Sequence, residues 1–154
     1  MKKFVLIIAA MICACSPPSP QLVELDLLVK GIPIKIMAPK GAAVNVDDLG
    51  IIKDVTVTDS LNYFVQIFSS KASTLDPRKV KEEQKEIVQD APFFSKITQE
   101  DEHGFIYEKK IDEDHINYDF RFVRIQGDDE YLFQAGLGGG YDLPSVKTMY
   151  RAVQ

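Results

Sequence analysis

A glycine-rich stretch near the end of the chain, FQAGLGGGYDLPSV at positions 133–146, has the composition of a phosphate-binding loop. The preceding residues predict a strand and the following ones a helix, whose first N–H groups would attract an anion. Gly136 and Gly138 match the first two glycines of G-x-G-x-x-G, but Tyr141 occupies the third position. No Walker lysine follows, and Asp142 would place a negative charge beside the phosphate. The pattern therefore argues against a phosphate site.

The same loop is better interpreted as a flexible connection between a strand and a helix. Glycine adopts positive φ angles at little steric cost, so consecutive glycines allow wide motion. If the loop has a function, we expect a mobile lip that contacts a partner, with Tyr141 as its anchor. The residues of this predicted lip are Gly138, Gly139, Gly140 and Tyr141.

The two histidines, His103 and His115, each follow acidic residues, in EDEHG and DEDH. Zinc held by both histidines with carboxylates is one alternative. The residue spacing of a calcium-binding loop is absent, and acidic residues in hairpin turns are ordinarily solvated. For nucleophilic catalysis, no G-x-S-x-G motif supplies a serine. The sequence predicts no metal, no cofactor and no catalytic residue.

The only two cysteines, Cys13 and Cys15, stand one residue apart. They are unlike a metal site, which needs about four ligands, because no further Cys or His lies nearby. They are also unlike a redox pair, which usually has the spacing C-x-x-C, and a disulfide between cysteines one residue apart would be strained. Two lysines and the apolar run FVLIIAAMI precede them, which is the pattern of a secretory signal peptide. The run is shorter than the ~20 residues that a membrane-spanning helix needs.

The segment Ile12-Cys13-Ala14-Cys15 resembles a bacterial lipobox, with small Ala14 before the cysteine that is modified. The resemblance implies that residues 1–14 are a lipoprotein signal peptide and that Cys15 is lipidated on sulfur. Two or more acyl chains would give stable membrane attachment.

Residues 15–21 comprise the lipidated cysteine and a proline-rich tether, in which SPPSP favours an extended chain of about 15 Å. Ser16 stands where an aspartate would retain an enterobacterial lipoprotein at the inner membrane. We therefore expect an outer membrane lipoprotein of the bacterial cell envelope that faces the periplasm.

The chain is acidic, with 18 Lys and Arg against 23 Asp and Glu. Removing residues 1–14 removes two lysines and no acid, which leaves 16 against 23, a formal charge of −7. Such a chain gains nothing from counterion release, so we expect no nucleic-acid partner. Anionic lipid headgroups would also repel it, so the lipid must provide the membrane attachment.

Alternation with a period of two predicts most of the remaining chain to be strands. Ile32, Ile34 and Ile36 share one face of the first clear strand. The next two strands predict a hairpin, in which Val55 and Val57 have Val65 and Ile67 as core partners. Later, two hairpins follow each other, and one strand directs Tyr118, Phe120 and Phe122 to the core and Asp119 and Arg121 to a solvated face.

Two helices complete the pattern. The first begins at Asp76 and Pro77 and is predicted to bury a stripe on one side and to expose its charged residues, including Lys81, on the other. The residues of that stripe are Val80, Gln84, Ile87, Val88 and Ala91. The last helix is predicted to bury Val146, Met149, Tyr150 and Val153. Sequential strands with separate helices predict that residues 22–154 form a single α+β domain with an antiparallel twisted sheet.

The order of these elements is similar to that of Mog1/PsbP-like domains. The stretches that carry the resemblance are FVQIFSS, KVKEEQKEIV, SKITQEDEHGFIYEKK, YDFRFVRIQGDDEYLFQAG and LPSVKTMYRAV. The resemblance covers roughly residues 30–154 and implies an α/β/α sandwich that acts as a non-enzymatic binding or assembly module. No binding residue of that family can be placed on this chain.

We therefore expect a lipid-anchored envelope protein that binds another envelope protein and is not an enzyme. Two alternatives stay open. A lipoprotein inhibitor or immunity factor would need one contiguous acidic face, and an envelope hydrolase would need a histidine in a cleft with carboxylates or a serine.

Overall fold

The structure, a computed structural model, describes residues 21–60 and 62–154. The predicted signal peptide, Cys15 and the proline-rich tether up to residue 20 lie outside the described residues. The strands are β1 (Leu22–Asp26), β2 (Lys35–Pro39), β3 (Ala43–Asp48), β4 (Ile52–Asp59), β5 (Tyr63–Lys71), β6 (Phe94–Glu100), β7 (Gly104–Lys110), β8 (Ile116–Gln126) and β9 (Asp129–Ala135), and the helices are α1 (Pro77–Gln89) and α2 (Leu143–Ala152). A short 3₁₀ turn at Leu28–Lys30 follows β1.

Seven strands form one open antiparallel sheet in the order β3-β4-β5-β9-β8-β7-β6, and β1 pairs with β2 in a separate two-stranded sheet. The chain leaves the sheet after β5, crosses as α1, and returns at the far edge as β6. The meander from β6 to β9 then brings β9 back beside β5. The fold is therefore α+β with a mainly antiparallel sheet and two helices, as the sequence predicted.

The hairpin of β4 and β5 pairs the predicted core residues with one another. Val55 lies opposite Ile67 and Val57 lies opposite Val65, and all four side chains are buried. Ile32, Ile34 and Ile36 are also buried on one side, although β2 begins only at Lys35. The period-two pattern thus identified the core faces here, and one predicted strand proved shorter than its pattern.

The two helices cover opposite faces of the sheet. The predicted stripe of α2 is buried, and Tyr150 packs edge-on against Phe120 and Phe122 with ring centroids 5.7 and 5.9 Å apart. On the other face, Val88 of α1 packs against Phe105 and Tyr107. The aromatic strand from Tyr118 to Phe122 is therefore part of the core, as predicted.

The predicted buried stripe of α1 was partly wrong. Val80 and Val88 are buried, but Ile87 is 62% exposed and Ala91 is also exposed. Lys81, predicted to be solvated, is only 7% exposed and donates a hydrogen bond to Glu100 at 2.9 Å. Its aliphatic stem covers apolar surface while its ammonium reaches the acidic end of β6, which the helical period alone could not indicate.

Candidate functional site

The predicted glycine lip ends in the core. The backbone N–H of Tyr118 donates to the carbonyl oxygen of Tyr141 at 2.9 Å, which ties the loop to β8. The side chain of Tyr141 is only 9% exposed and belongs to the core beside α2. Gly139 lies against the ring, and a Cβ there would come within 2.2 Å of it. Binding by this loop stays a prediction, but the exposed part is Leu137–Gly138 and Gly140.

Asp142, just after this loop, has a structural task. It precedes the first turn of α2, and its Oδ1 accepts the backbone N–H of Ser145 at 2.9 Å. Hydrogen bonds from Ser145 lower the pKa of the Asp142 carboxyl. The carboxylate therefore occupies the position at the helix start where an anion would otherwise bind.

The two histidines do not come together. His103 immediately precedes β7, and His115 lies in the turn after it, next to Asp112 at 2.7 Å. A seven-residue strand separates them by about 23 Å, so one zinc ion cannot bind both. Within residues 21–60 and 62–154, no three His, Cys, Asp or Glu side chains are grouped as metal ligands could be.

A buried carboxylate, Asp119, lies where the sequence predicted a solvated face. It is 7% exposed because α1 covers this side of the sheet. Its Oδ1 accepts the N–H groups of Phe120 and Ala135 at 2.8 and 3.1 Å, and its Oδ2 accepts from the Tyr107 hydroxyl at 3.0 Å. Burial and, next, the charge of Asp119 raise the pKa of Tyr107. All these bonds satisfy the carboxylate, so Asp119 joins three strands and is a structural residue.

The two edges of the large sheet differ in regularity. At β6, the pairing with β7 shifts between Phe94 and Lys96 and again between Ile97 and Gln99. Such bulges prevent another strand from pairing with an edge. At β3, six consecutive pairs with β4 run from Ala43 to Asp48 without a shift. The strand also contains no proline, and its only charged residues are Asp47 and Asp48 at its end.

The outward backbone groups of β3 can be assigned from its hairpin. The N–H of Leu49 donates to the carbonyl of Ile52 at 2.9 Å, and inward-bonded residues alternate from there along an antiparallel pair. Val44, Val46 and Asp48 therefore direct their N–H and C=O groups outward. In the part of the chain that the structure describes, no backbone group bonds to them. They are available to an added strand.

The end of this edge is acidic. Asp47 lies directly opposite Asp54 of β4, and Asp48 follows it. The Asn45 amide donates to Asp47 at 3.0 Å, and the Gln66 amide donates to both oxygens of Asp54 at 3.0 and 2.8 Å. Amide donors hold the two like charges side by side in place of a cation. A strand added at β3 would meet this charge, so a basic residue near its end would be favoured.

Comparison with known proteins finds no matching family model, no matching curated protein and no matching solved structure. Among the described residues, no helix has the length and apolar character that crossing a bilayer requires.

Proposed function

We propose that the chain is a lipid-anchored envelope protein that binds an extended segment of another envelope protein along the free edge of β3. In this proposal Cys15 carries the lipid, the protein faces the periplasm from the outer membrane, and its role is binding or assembly without catalysis. The fold we propose for it is of the Mog1/PsbP-like type.

The observation that carries the proposal is the unbroken β3 edge with outward backbone groups at Val44, Val46 and Asp48. Strand addition uses such groups for affinity and alternate side chains for selectivity. Proteins ordinarily block an edge of this kind, as this chain does at β6. An edge left regular is therefore a reasonable place for a partner, and its acidic end favours a partner segment with a basic residue.

The position of Leu22, which follows the predicted tether, supports this arrangement. β1 begins at Leu22, which pairs with Pro39, and the N–H of Ala42 donates to the Pro39 carbonyl at 3.0 Å. The chain thus enters close to the start of β3 at Ala43, and the acidic end of β3 lies farther along the strand. A short tether would hold this edge near the membrane surface, within reach of other envelope proteins.

Substitution of Val46 tests the proposal. Val46→Pro removes an outward N–H but no hydrogen bond to β4, whereas Val46→Ala keeps that N–H and loses only side-chain packing. After crosslinking in cells and purification from membranes, we expect Val46→Ala to retain the partner bands of the wild-type protein and Val46→Pro to lose them. Equal capture by the proline variant would refute binding at this edge.

A further inference from the structure

Four polar side chains lie directly opposite one another across four strands of the large sheet. Lys53 of β4 pairs with Ser69 of β5, Ser69 pairs with Tyr131 of β9, and Tyr131 pairs with Arg124 of β8. The row lies on the α2 side of the sheet, where the same strands carry the buried residues Ile67 and Phe133. Tyr131 itself belongs to this core. A polar row at the end of an apolar core needs an explanation.

Tyr131 is the most unusual member of this row. Its side chain is 0% exposed, and its hydroxyl has no hydrogen-bond partner within 3.5 Å among residues 21–60 and 62–154, although the Ser69 hydroxyl is near enough to offset part of the rise in its pKa that burial causes. A buried hydroxyl without a partner loses its bonds to water and gains nothing in return. Native proteins seldom keep such a group unless something else satisfies it.

A cavity of about 290 Å³ adjoins Tyr131. It lies between the turns at residues 31–33 and 50–51 and the ends of β5 and β9, and its polar lining includes Lys53, Ser69, Lys71 and Tyr131. We refer to it as the Tyr131 cavity. Its volume is near the lower limit of small-molecule sites, and its mixture of apolar walls with a few convergent polar groups is typical of them.

The Tyr131 cavity is positive in an otherwise acidic chain. Lys71 is paired with Asp129 at 2.7 Å, so these two charges offset each other. Lys53 has no carboxylate of the described residues within 4.0 Å, although Asp48 lies directly opposite it on β3, and its ammonium lies beside Gly31. One cation without a close ion pair and two hydroxyl groups therefore line the same space.

We propose that the Tyr131 cavity binds an oxyanion, either carboxylate or phosphate, on a small molecule with an apolar part. Lys53 supplies the charge, and the hydroxyls of Tyr131 and Ser69 donate hydrogen bonds to the oxygens. The apolar part contacts Pro33 and the side chain of Ile51, which is 88% exposed. This proposal is independent of the β3 edge.

A second cavity provides room for a longer ligand. It measures about 400 Å³, shares Pro33 with the Tyr131 cavity, and is lined by Leu28, Ile34 and Arg124. The Arg124 guanidinium is fixed by the carbonyl of Lys35 at 3.0 Å. A ligand whose oxyanion occupies the Tyr131 cavity could extend its apolar part past Pro33 towards Leu28.

Thermal unfolding of the full chain in a neutral detergent tests the proposal, because a ligand that binds only the folded state raises Tm. The probes are hexyl phosphate and hexanoate, with hexyltrimethylammonium as the cationic control. We expect both anions and not the cation to raise Tm. Lys53→Gln should weaken both apparent affinities at least about tenfold, whereas Lys79→Gln, the same charge change on the exposed face of α1, should not.

Tyr131→Phe gives a second, independent readout. Removing an unsatisfied buried hydroxyl should raise Tm without ligand and reduce the further increase on adding hexyl phosphate. A lower Tm without ligand would show that the hydroxyl already has a partner and would overturn the proposal.

The changes in Tm with soluble probes and with added lipid identify the source of the oxyanion. Stabilisation by the soluble probes indicates a soluble ligand. Stabilisation only after phosphatidylglycerol is added to the micelles, and lost in Lys53→Gln, indicates a lipid headgroup. No stabilisation in any arm, or equal losses in Lys53→Gln and Lys79→Gln, would overturn the site.

Discussion

The hydroxyl of Tyr150 donates a hydrogen bond to Asp101 Oδ2 at 2.6 Å, which joins helix α2 to the turn between β6 and β7. The other oxygen of Asp101 accepts the backbone N–H groups of His103 and Gly104 at 3.1 and 3.0 Å. One carboxylate therefore fixes both the turn and the helix that covers the core. Burial and, next, Asp101 raise the pKa of Tyr150, so the hydroxyl stays a donor across the ordinary pH range.

Tyr150→Phe should destabilise the protein by about 1.5–3 kcal/mol, because it removes a hydrogen bond to a charged acceptor and leaves the ring in place. Urea unfolding measures the loss. Tyr118→Phe is the matched control, since its hydroxyl reaches Glu108 only at a longer 3.3 Å and lies in a less buried position. Equal losses of stability in the two variants would mean that the Tyr150–Asp101 hydrogen bond stabilises the protein no more than the Tyr118–Glu108 bond does.

Acidification should weaken the attachment of α1 to β6. Hydrogen bonds from Lys85 at 2.7 Å and Lys81 at 2.9 Å lower the pKa of Glu100. Because the folded pKa lies below the unfolded one, this stabilisation is present above about pH 4.3, the ordinary glutamate pKa, and is lost as pH falls through the folded value.

Urea unfolding at a series of pH values measures this dependence. Glu100→Gln should lower stability at neutral pH and flatten its fall with acidification, whereas Glu86→Gln on the exposed face of α1 should change neither. An unchanged pH profile in Glu100→Gln would contradict the assignment.

The glycine loop offers a test of the buried Tyr141. Gly139→Ala should destabilise the protein by roughly 1–3 kcal/mol, because the added Cβ would lie 2.2 Å from the Tyr141 ring and displace it from the core. Gly140→Ala should cost less, since its Cβ would meet only the Asn117 side chain at 3.2 Å. Thermal unfolding compares the two. A larger loss of stability in Gly140→Ala than in Gly139→Ala would contradict the packing of the Tyr141 ring against Gly139.

The membrane anchor can be tested at the two cysteines. Cys15→Ser should abolish incorporation of labelled palmitate and release the protein from the membrane fraction. Cys13→Ser should change neither, because the resemblance to a lipobox assigns the modification to the cysteine after Ala14. Labelling that survives in Cys15→Ser would exclude the proposed anchor.

The local sequence pattern was sufficient to predict structure wherever the contacting residues are also close in sequence. The alternation in β4 and β5 predicted that Val55 and Val57 have Val65 and Ile67 as core partners, and the helical period predicted that Met149 and Tyr150 are buried. These features depend on hairpins and on one helix face, which a short window of sequence specifies.

Features that depend on how elements pack together were not predictable. The pattern of α1 did not reveal that Lys81 and not Ile87 would face the sheet, because the tilt of a helix is set by its neighbours. Alternation placed Asp119 on the right face but could not show that α1 covers it. The row of Lys53, Ser69, Tyr131 and Arg124 exists only because the strands have the order β4-β5-β9-β8. No local signal indicates that β9 pairs with β5. The free edge at β3 depends on the same strand order.

That strand order has a consequence for how the molecule folds. The central pairing joins Val65 to Ala135, so the half of the sheet that contains β3 to β5 cannot be completed until nearly the whole chain is present in the compartment where it folds. Until then β5 and β8 each present an open side, and contacts this distant in sequence form slowly. We expect the newly made polypeptide to need a chaperone until β9 inserts as the closing strand.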